Sequence, residues 1–258
     1  MSAGATAATG PAEVAAQAKT IVTMLPNNSI VSGVYEGEQG LLSTVTEGSL
    51  LVDSSTVDPA LSKHLAAQAA VRGCQFVDAP VSGGVNAAAA GSLTFMVGAE
   101  TEAVFARAEK LLGEMGAKVT HCGGVGTGGA VKICNNMLLA ITMIGTSEAM
   151  NLGIKYLLER WDIPPLTPPV RLGLEPKLLA NIMGSATGRC WPVDTYNPCP
   201  GVFPNVPSSN QYKGGFGTAL MTKDLGLAQD AATRAQSATP LGSLAHQVTP
   251  PFPQLLIF

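Results

Sequence analysis

From Thr20 to Cys122 the sequence repeats one unit: a short apolar run rich in Val, Ile, Leu and Phe, closed by a turn and in several cases followed by a helix-like stretch. The runs are Thr20–Leu25, Ser49–Asp53, Gln75–Ala79, Leu93–Val97 and Lys118–Cys122. Between them, Asp58–Val71 opens with Asp-Pro, a capping residue followed by a proline whose missing N–H is no loss in a first helical turn. It carries Leu61, Leu65 and Ala69 at helical spacing, and Thr101–Met115 carries Val104, Phe105, Ala108, Leu111 and Leu112 likewise. Strands that alternate with helices imply a largely parallel sheet covered by helices.

At Gly128 the pattern changes. Residues 130–155 read as one long helix with apolar positions at Val131, Met137, Leu138, Ile141, Ile144 and Met150. A second helix is expected over Pro176–Met183 and another over Leu220–Ala235, with an irregular Pro/Gly/Asn-rich stretch from Gly188 to Gly217 between them. The expected fold class is α/β: a partial Rossmann-type parallel-sheet domain, a long connecting helix, then an all-α domain. The corresponding domain limits are 1–127 for a truncated dinucleotide-binding domain, 128–155 for the helix, 156–170 for an insert and 171–258 for an incomplete helical domain. The insert is read from Pro164, Pro165, Pro168 and Pro169, because proline removes a backbone donor and clashes with the preceding turn.

Composition excludes several classes. A net charge of −3 without a Lys/Arg cluster argues against nucleic acid as a partner. The most apolar stretch, residues 137–145, is too short to cross a bilayer, so no membrane is expected. Five cysteines without a C-x-x-C pair suit free thiols in a reducing compartment, and His64, His121 and His246 have no metal-ligand spacing. The Ala/Gly-rich leader has no basic residue before Lys19 and resembles neither a secretory signal nor an Arg-rich transit peptide.

Three stretches carry chemistry. Gly124, Gly126 and Gly129 spell G-x-G-x-x-G between a strand and a helix. A true dinucleotide fingerprint also needs an acidic residue at a second strand end about twenty positions on, and the candidate, Glu148, lies inside the long helix. The expected role is therefore a tight turn with close backbone packing. Next, Lys132 and Asn136 are spaced i, i+4 and share one helix face. A lysine on an apolar helix tends to be desolvated, which favours the neutral amine that acid/base chemistry requires. Finally, Ser82-Gly83-Gly84 follows a strand at its carboxyl end, where ligands bind in open α/β sheets; adjacent glycine amides and a hydroxyl suit a small carboxylate. Leu25-Pro26 and residues 53–56 close two further strands on that edge, and Lys223-Asp224 reads by itself as an ion pair in a late apolar helix.

Together, DSST (53–56), DAPVSGG (78–84), G-x-G-x-x-x-K-x-x-N-N (126–136), GRCW (188–191) with DTYNP (194–198), and GFGTALMTKDLGLA (215–228) resemble the β-hydroxyacid dehydrogenases, from about Thr20 to Gln247 outside the insert. The resemblance implies NAD-dependent oxidation of 3-hydroxyisobutyrate to methylmalonate semialdehyde in valine breakdown, in the mitochondrial matrix, by a homo-oligomer acting on a small hydroxy-carboxylate. It makes Lys132 catalytic with Asn136 as its partner. Ser82, Gly83, Gly84, Trp191, Phe216 and Asp224 fall to the substrate, and Leu25, Pro26, Thr56 and Lys223 to NAD, with Lys223 closing over the nicotinamide. The family's own glycine fingerprint precedes the equivalent of Thr20, where this chain has its Ala/Gly leader, and the family's final helices follow His246-Gln247. Weak NAD binding and doubtful activity are the corresponding expectation. Two alternatives stay open: an NADPH-dependent glyoxylate or succinic semialdehyde reductase of the same family, and a non-catalytic remnant that binds a carboxylate or a partner subunit.

Overall fold

A computed structural model describes residues 4–154 and 173–249 of the chain. The expected insert at 156–170 and the proline-rich end beyond residue 249 lie outside the described residues. The described residues fall into two compact units: one runs to Asn135 and includes Asp230–Gln236, the other holds Asn136–Gln229 and the stretch from Ser237.

The first unit is built on a six-stranded sheet. Strands β1 (Thr20–Thr23), β2 (Leu50–Asp53) and β3 (Gln75–Asp78) are parallel and in register, so Thr23, Asp53 and Asp78 stand side by side at their carboxyl ends. Leu51 packs in one core cluster with Ile21 and Phe76, while Leu50 and Val52 pack in a second with Val77 and Phe95. A strand apolar on both faces is what a sheet covered on both sides requires. The expected helices are α4 (Pro59–Val71), capped by the Asp58 carboxylate on the Ala60 amide, and α6 (Glu102–Leu112), capped by the Thr101 hydroxyl on the Val104 amide.

One departure from a parallel sheet matters for the site. After β3 the chain forms β4 (Val81–Ser82) and the short α5 (Gly84–Ala89), then returns as β5 (Leu93–Gly98) antiparallel to both β4 and β3. Only residues 83–92 separate β4 from β5. A parallel return needs a dozen residues or more, so the strand turns back on itself and pins Ser82 opposite Thr94. β6 (Gly116–Gly123) then runs parallel to β5.

Three helices near the start have weak sequence signatures: α1 (Pro11–Gln17), α2 (Asn28–Glu36) and α3 (Leu41–Thr44). α2 is built from Ser, Gly and β-branched residues of low helix propensity. Its stability comes from the Asn27 side chain capping the Ile30 amide and from Val31 and Tyr35, one turn apart and both fully buried.

Helix α7 (Thr127–Ile154) begins in the first unit and ends in the second, at nearly the expected bounds. Its most apolar 18-residue window has a mean hydropathy of 1.3, so length and composition alone are compatible with a bilayer span, unlike the shorter run read from the sequence. In the second unit its Ala140 and Met143 pack with Met221 and Leu225 of α10 (Thr218–Arg234) and Ala245 of α11 (Pro240–Val248), a helix the sequence reading did not separate. α8 (Pro176–Ser185) matches its expected position. The stretch 188–217 holds only α9 (Trp191–Asp194) and a 3-10 turn at Pro207–Ser209. Buried Asn197 organises it: its amide donates to the Val193 carbonyl, its side-chain oxygen accepts from the Cys199 amide, and its carbonyl accepts from the Ser208 hydroxyl.

Candidate active site

The glycine turn that opens α7 binds a carboxylate of the chain itself. The amides of Gly126 and Gly129 donate to the two oxygens of Asp78, at 2.6 and 2.8 Å. Gly126 takes φ +92°, which only glycine adopts without strain, and this aims its N–H at Asp78. Gly128 allows close approach: a β-carbon there would run into the Met96 carbonyl and lie 2.9 Å from Asp78. The helix N-terminus is thus satisfied by an internal anion, so these glycines do not fit a dinucleotide phosphate. Asp78 is itself 1% exposed. Burial pushes its carboxyl up, the two amides pull it down, and the neighbouring Asp53 adds a further upward push.

One turn further along α7, Lys132 is buried and its Nζ donates to Ser82 Oγ at 2.9 Å. The structure therefore brings together the lysine and the serine–glycine corner singled out from sequence. With its oxygen accepting from Lys132, the Ser82 hydroxyl keeps its own proton for an acceptor such as a carboxylate. Gly83 and Gly84 follow at φ +137° and +66° and are exposed; a β-carbon on Gly83 would come within 2.5 Å of Ala87.

In the second unit a different cluster forms. The Asn136 amide nitrogen donates to Asp224 Oδ2 at 2.6 Å, and Lys223 Nζ lies 2.8 Å from Asp224 Oδ1. Asn136 and Asp224 are each 2% exposed. An isolated carboxylate at that depth would be costly, and Lys223 and Asn136 compensate it. Both oxygens of Asp224 are thus engaged within the protein, and the carboxylate fixes which way the Asn136 amide points. Trp191 is exposed and stacks on Tyr196, with ring centroids 4.6 Å apart, and Phe216 packs in the same cluster as Tyr196.

The remaining predicted residues lie on the loops after β1 and β2. Leu25 and Thr56 are half-buried and Pro26 is exposed. A buried network, not anticipated from sequence, positions them. Tyr35 and Thr23 share a hydroxyl–hydroxyl hydrogen bond of 2.9 Å; Thr23 donates to Asp53 Oδ1, Ser55 donates to the same oxygen, and Ser55 Oγ accepts from the Leu25 amide. Asp53 Oδ2 and the Ser54 hydroxyl are buried at this edge without a hydrogen-bond partner among the described residues. Burial pushes the Asp53 carboxyl up, and burial followed by the Asp53 charge pushes Tyr35 well up. Adjacent loops at the carboxyl ends of parallel strands, with unpartnered polar atoms between them, fit a nucleotide cofactor. Asp78 and Asp53 could have been suspected from the sequence, since an Asp closing an apolar strand must find donors, but the partners of Asp78 lie about fifty positions on, and Asp53 reaches Thr23, thirty positions back, as well as nearby Ser55.

Known proteins resemble this chain along most of its length. A family described as the NAD-binding domain of 6-phosphogluconate dehydrogenase matches residues 1–124, and one described as the NAD-binding domain of NADP-dependent 3-hydroxyisobutyrate dehydrogenase matches residues 166–252. The mitochondrial 3-hydroxyisobutyrate dehydrogenase of Homo sapiens is 57% identical over 246 residues, covering 95% of this chain and 68% of that protein. The NAD-dependent L-serine dehydrogenase of Pseudomonas aeruginosa is 44% identical over 245 residues, covering 95% of this chain and 76% of its own length. Among solved structures, the 3-hydroxyisobutyrate dehydrogenase of Mycobacterium tuberculosis with L-serine superposes with a TM-score of 0.81 at 40% identity, covering 93% of this chain and 76% of that one.

Proposed function

The chain belongs to the β-hydroxyacid dehydrogenase family, with 3-hydroxyisobutyrate dehydrogenases among its near relatives, and on that premise we propose that it oxidises 3-hydroxyisobutyrate to methylmalonate semialdehyde with NAD. The observation that carries the reading is the buried Lys132 side chain, its Nζ 2.9 Å from Ser82 Oγ, beside a serine–glycine corner suited to a carboxylate.

The roles follow from the donors and acceptors present. Ser82 donates its hydroxyl proton to the substrate carboxylate, and the exposed amides of Gly83 and Gly84 add to that grip. Lys132, in its neutral form, accepts the proton of the substrate hydroxyl at Nζ; in the reverse direction its protonated form polarises the aldehyde oxygen. Asn136 presents its side-chain oxygen in an orientation fixed by Asp224. The loops bearing Leu25, Pro26 and Thr56 hold NAD, which supplies the hydride acceptor when bound. The cofactor contact given to Lys223 and the substrate contacts given to Trp191, Phe216 and Asp224 belong to the same proposal, as do a homo-oligomeric state, the absence of a membrane span and a matrix location; the human relative is named as mitochondrial.

Purified chain mixed with 3-hydroxyisobutyrate and NAD should form NADH, read by absorbance. Absence of NADH at millimolar NAD, with the protein folded by circular dichroism, would overturn the reading. A second reading, oxidation of L-serine, is favoured by the L-serine dehydrogenase relative and by the tuberculosis enzyme's structure with that amino acid. L-serine is also a small 3-hydroxy carboxylate, and a side-by-side comparison of kcat/KM decides between the two.

A further inference from the structure

We propose that Asp78 is a positioning residue that sets the distance between Lys132 and Ser82. Four positions separate Asp78 from Ser82, and three separate Gly129 from Lys132. At one end of these two segments the Gly129 amide donates to Asp78 Oδ2 at 2.8 Å; at the other, Lys132 Nζ donates to Ser82 Oγ at 2.9 Å. The segments therefore form a closed ring, and Asp78 is its inner clasp. The Gly126 amide at 2.6 Å doubles the clasp.

The rest of the ring is rigid. Ser82 is paired to Thr94 of β5, and Asp78 is paired to Gly98 of the same strand. Gly98 lacks a side chain where one would collide with the Asp78 carboxylate, and Gly128 is bare on the opposite side. Two glycines thus make room for this carboxylate, which is itself 1% exposed. Lys132 sits on the first turns of α7, so any shift of the Gly126–Gly129 turn is carried directly to its ammonium group.

The inference deepens the proposed dehydrogenase activity, and its test separates the two. Asp78→Asn removes the charge and turns one acceptor into a donor facing an N–H group. Gly98→Ala keeps the charge but pushes the carboxylate off the amides, and serves if Asp78→Asn does not fold. In crystal structures of these variants the Lys132 Nζ to Ser82 Oγ separation is expected to open beyond about 3.5 Å, outside hydrogen-bond range. In the kinetic arm kcat should fall about 100-fold, the scale for a misplacement near 1 Å, while KM for NAD stays at the wild-type value. A purely structural role would lower the yield of folded protein and leave kcat per folded molecule unchanged. A separation still at 2.9 Å in a folded variant overturns the inference whatever the turnover. A wild-type chain without turnover overturns the dehydrogenase reading alone, since the separation is read independently of activity.

Discussion

Lys132 is buried on α7, with Ser82 Oγ within hydrogen-bond range. A side-chain amine so placed has lost most of its water. Lys132→Ala should lower kcat by roughly 10²–10⁴-fold, the usual contribution of a positioned acid/base group, with NAD affinity by fluorescence titration unchanged. Full activity in that variant would remove the catalytic role. Ser82→Ala, by contrast, deletes one donor to a charged group and should weaken substrate binding by about 1.5–3 kcal/mol, seen as a raised KM for the hydroxy acid. Both residues were legible in the sequence, because a lysine on an apolar helix and a serine–glycine pair after a strand are local patterns. The role of Asp78 has no such local pattern. Its partners, Gly126 and Gly129, are about fifty positions away, and only the fold brings an anion to that glycine turn.

At the scale of elements, the glycine turn shows how an ambiguous motif is resolved. G-x-G-x-x-G fits a phosphate or a tight packing corner, and the acidic residue misplaced inside a helix pointed to packing. Gly128→Ala tests it directly: the added methyl would strike the Met96 carbonyl, a backbone atom that cannot step aside. Overpacking of this kind should destabilise the protein by about 1–3 kcal/mol in urea unfolding, whereas a turn with free space would tolerate alanine. The elements that were legible, α4, α6 and α7, have capping residues or long apolar periodicity. α2 has low propensity and is held by Val31 and Tyr35 in the core, which no local pattern records. The antiparallel return at β5 was missed for a related reason: alternation predicts crossovers, but the link from Ser82 to Leu93 is too short for one.

For the molecule as a whole, the parallel sheet fixes a cost that appears as pH dependence. Register between β2 and β3 sets Asp53 and Asp78 on neighbouring strands, and burial pushes both carboxyls above their ordinary range. A carboxyl raised in the folded state favours folding while it is protonated. Its contribution is full below the unfolded pKa of about 3.9 and is lost as pH rises through the folded value. Exposed carboxylates held low, such as Glu13, Glu175 and Asp194, act in the opposite sense, but solvent screening weakens them. Asp53→Asn isolates the buried contribution. Among the described residues Thr23 and Ser55 donate to Oδ1, an oxygen that asparagine retains, and Oδ2 has no hydrogen-bond partner to lose. The variant also relieves the push on Asp78 and Tyr35, the ionisable groups that face it. Its melting temperature should therefore match the wild type near pH 4 and exceed it increasingly as the pH is raised to 8. A difference that stays constant with pH would mean that Asp53 does not carry a buried charge, and that the carboxyl ends of β1, β2 and β3 are held together by neutral hydrogen bonds alone.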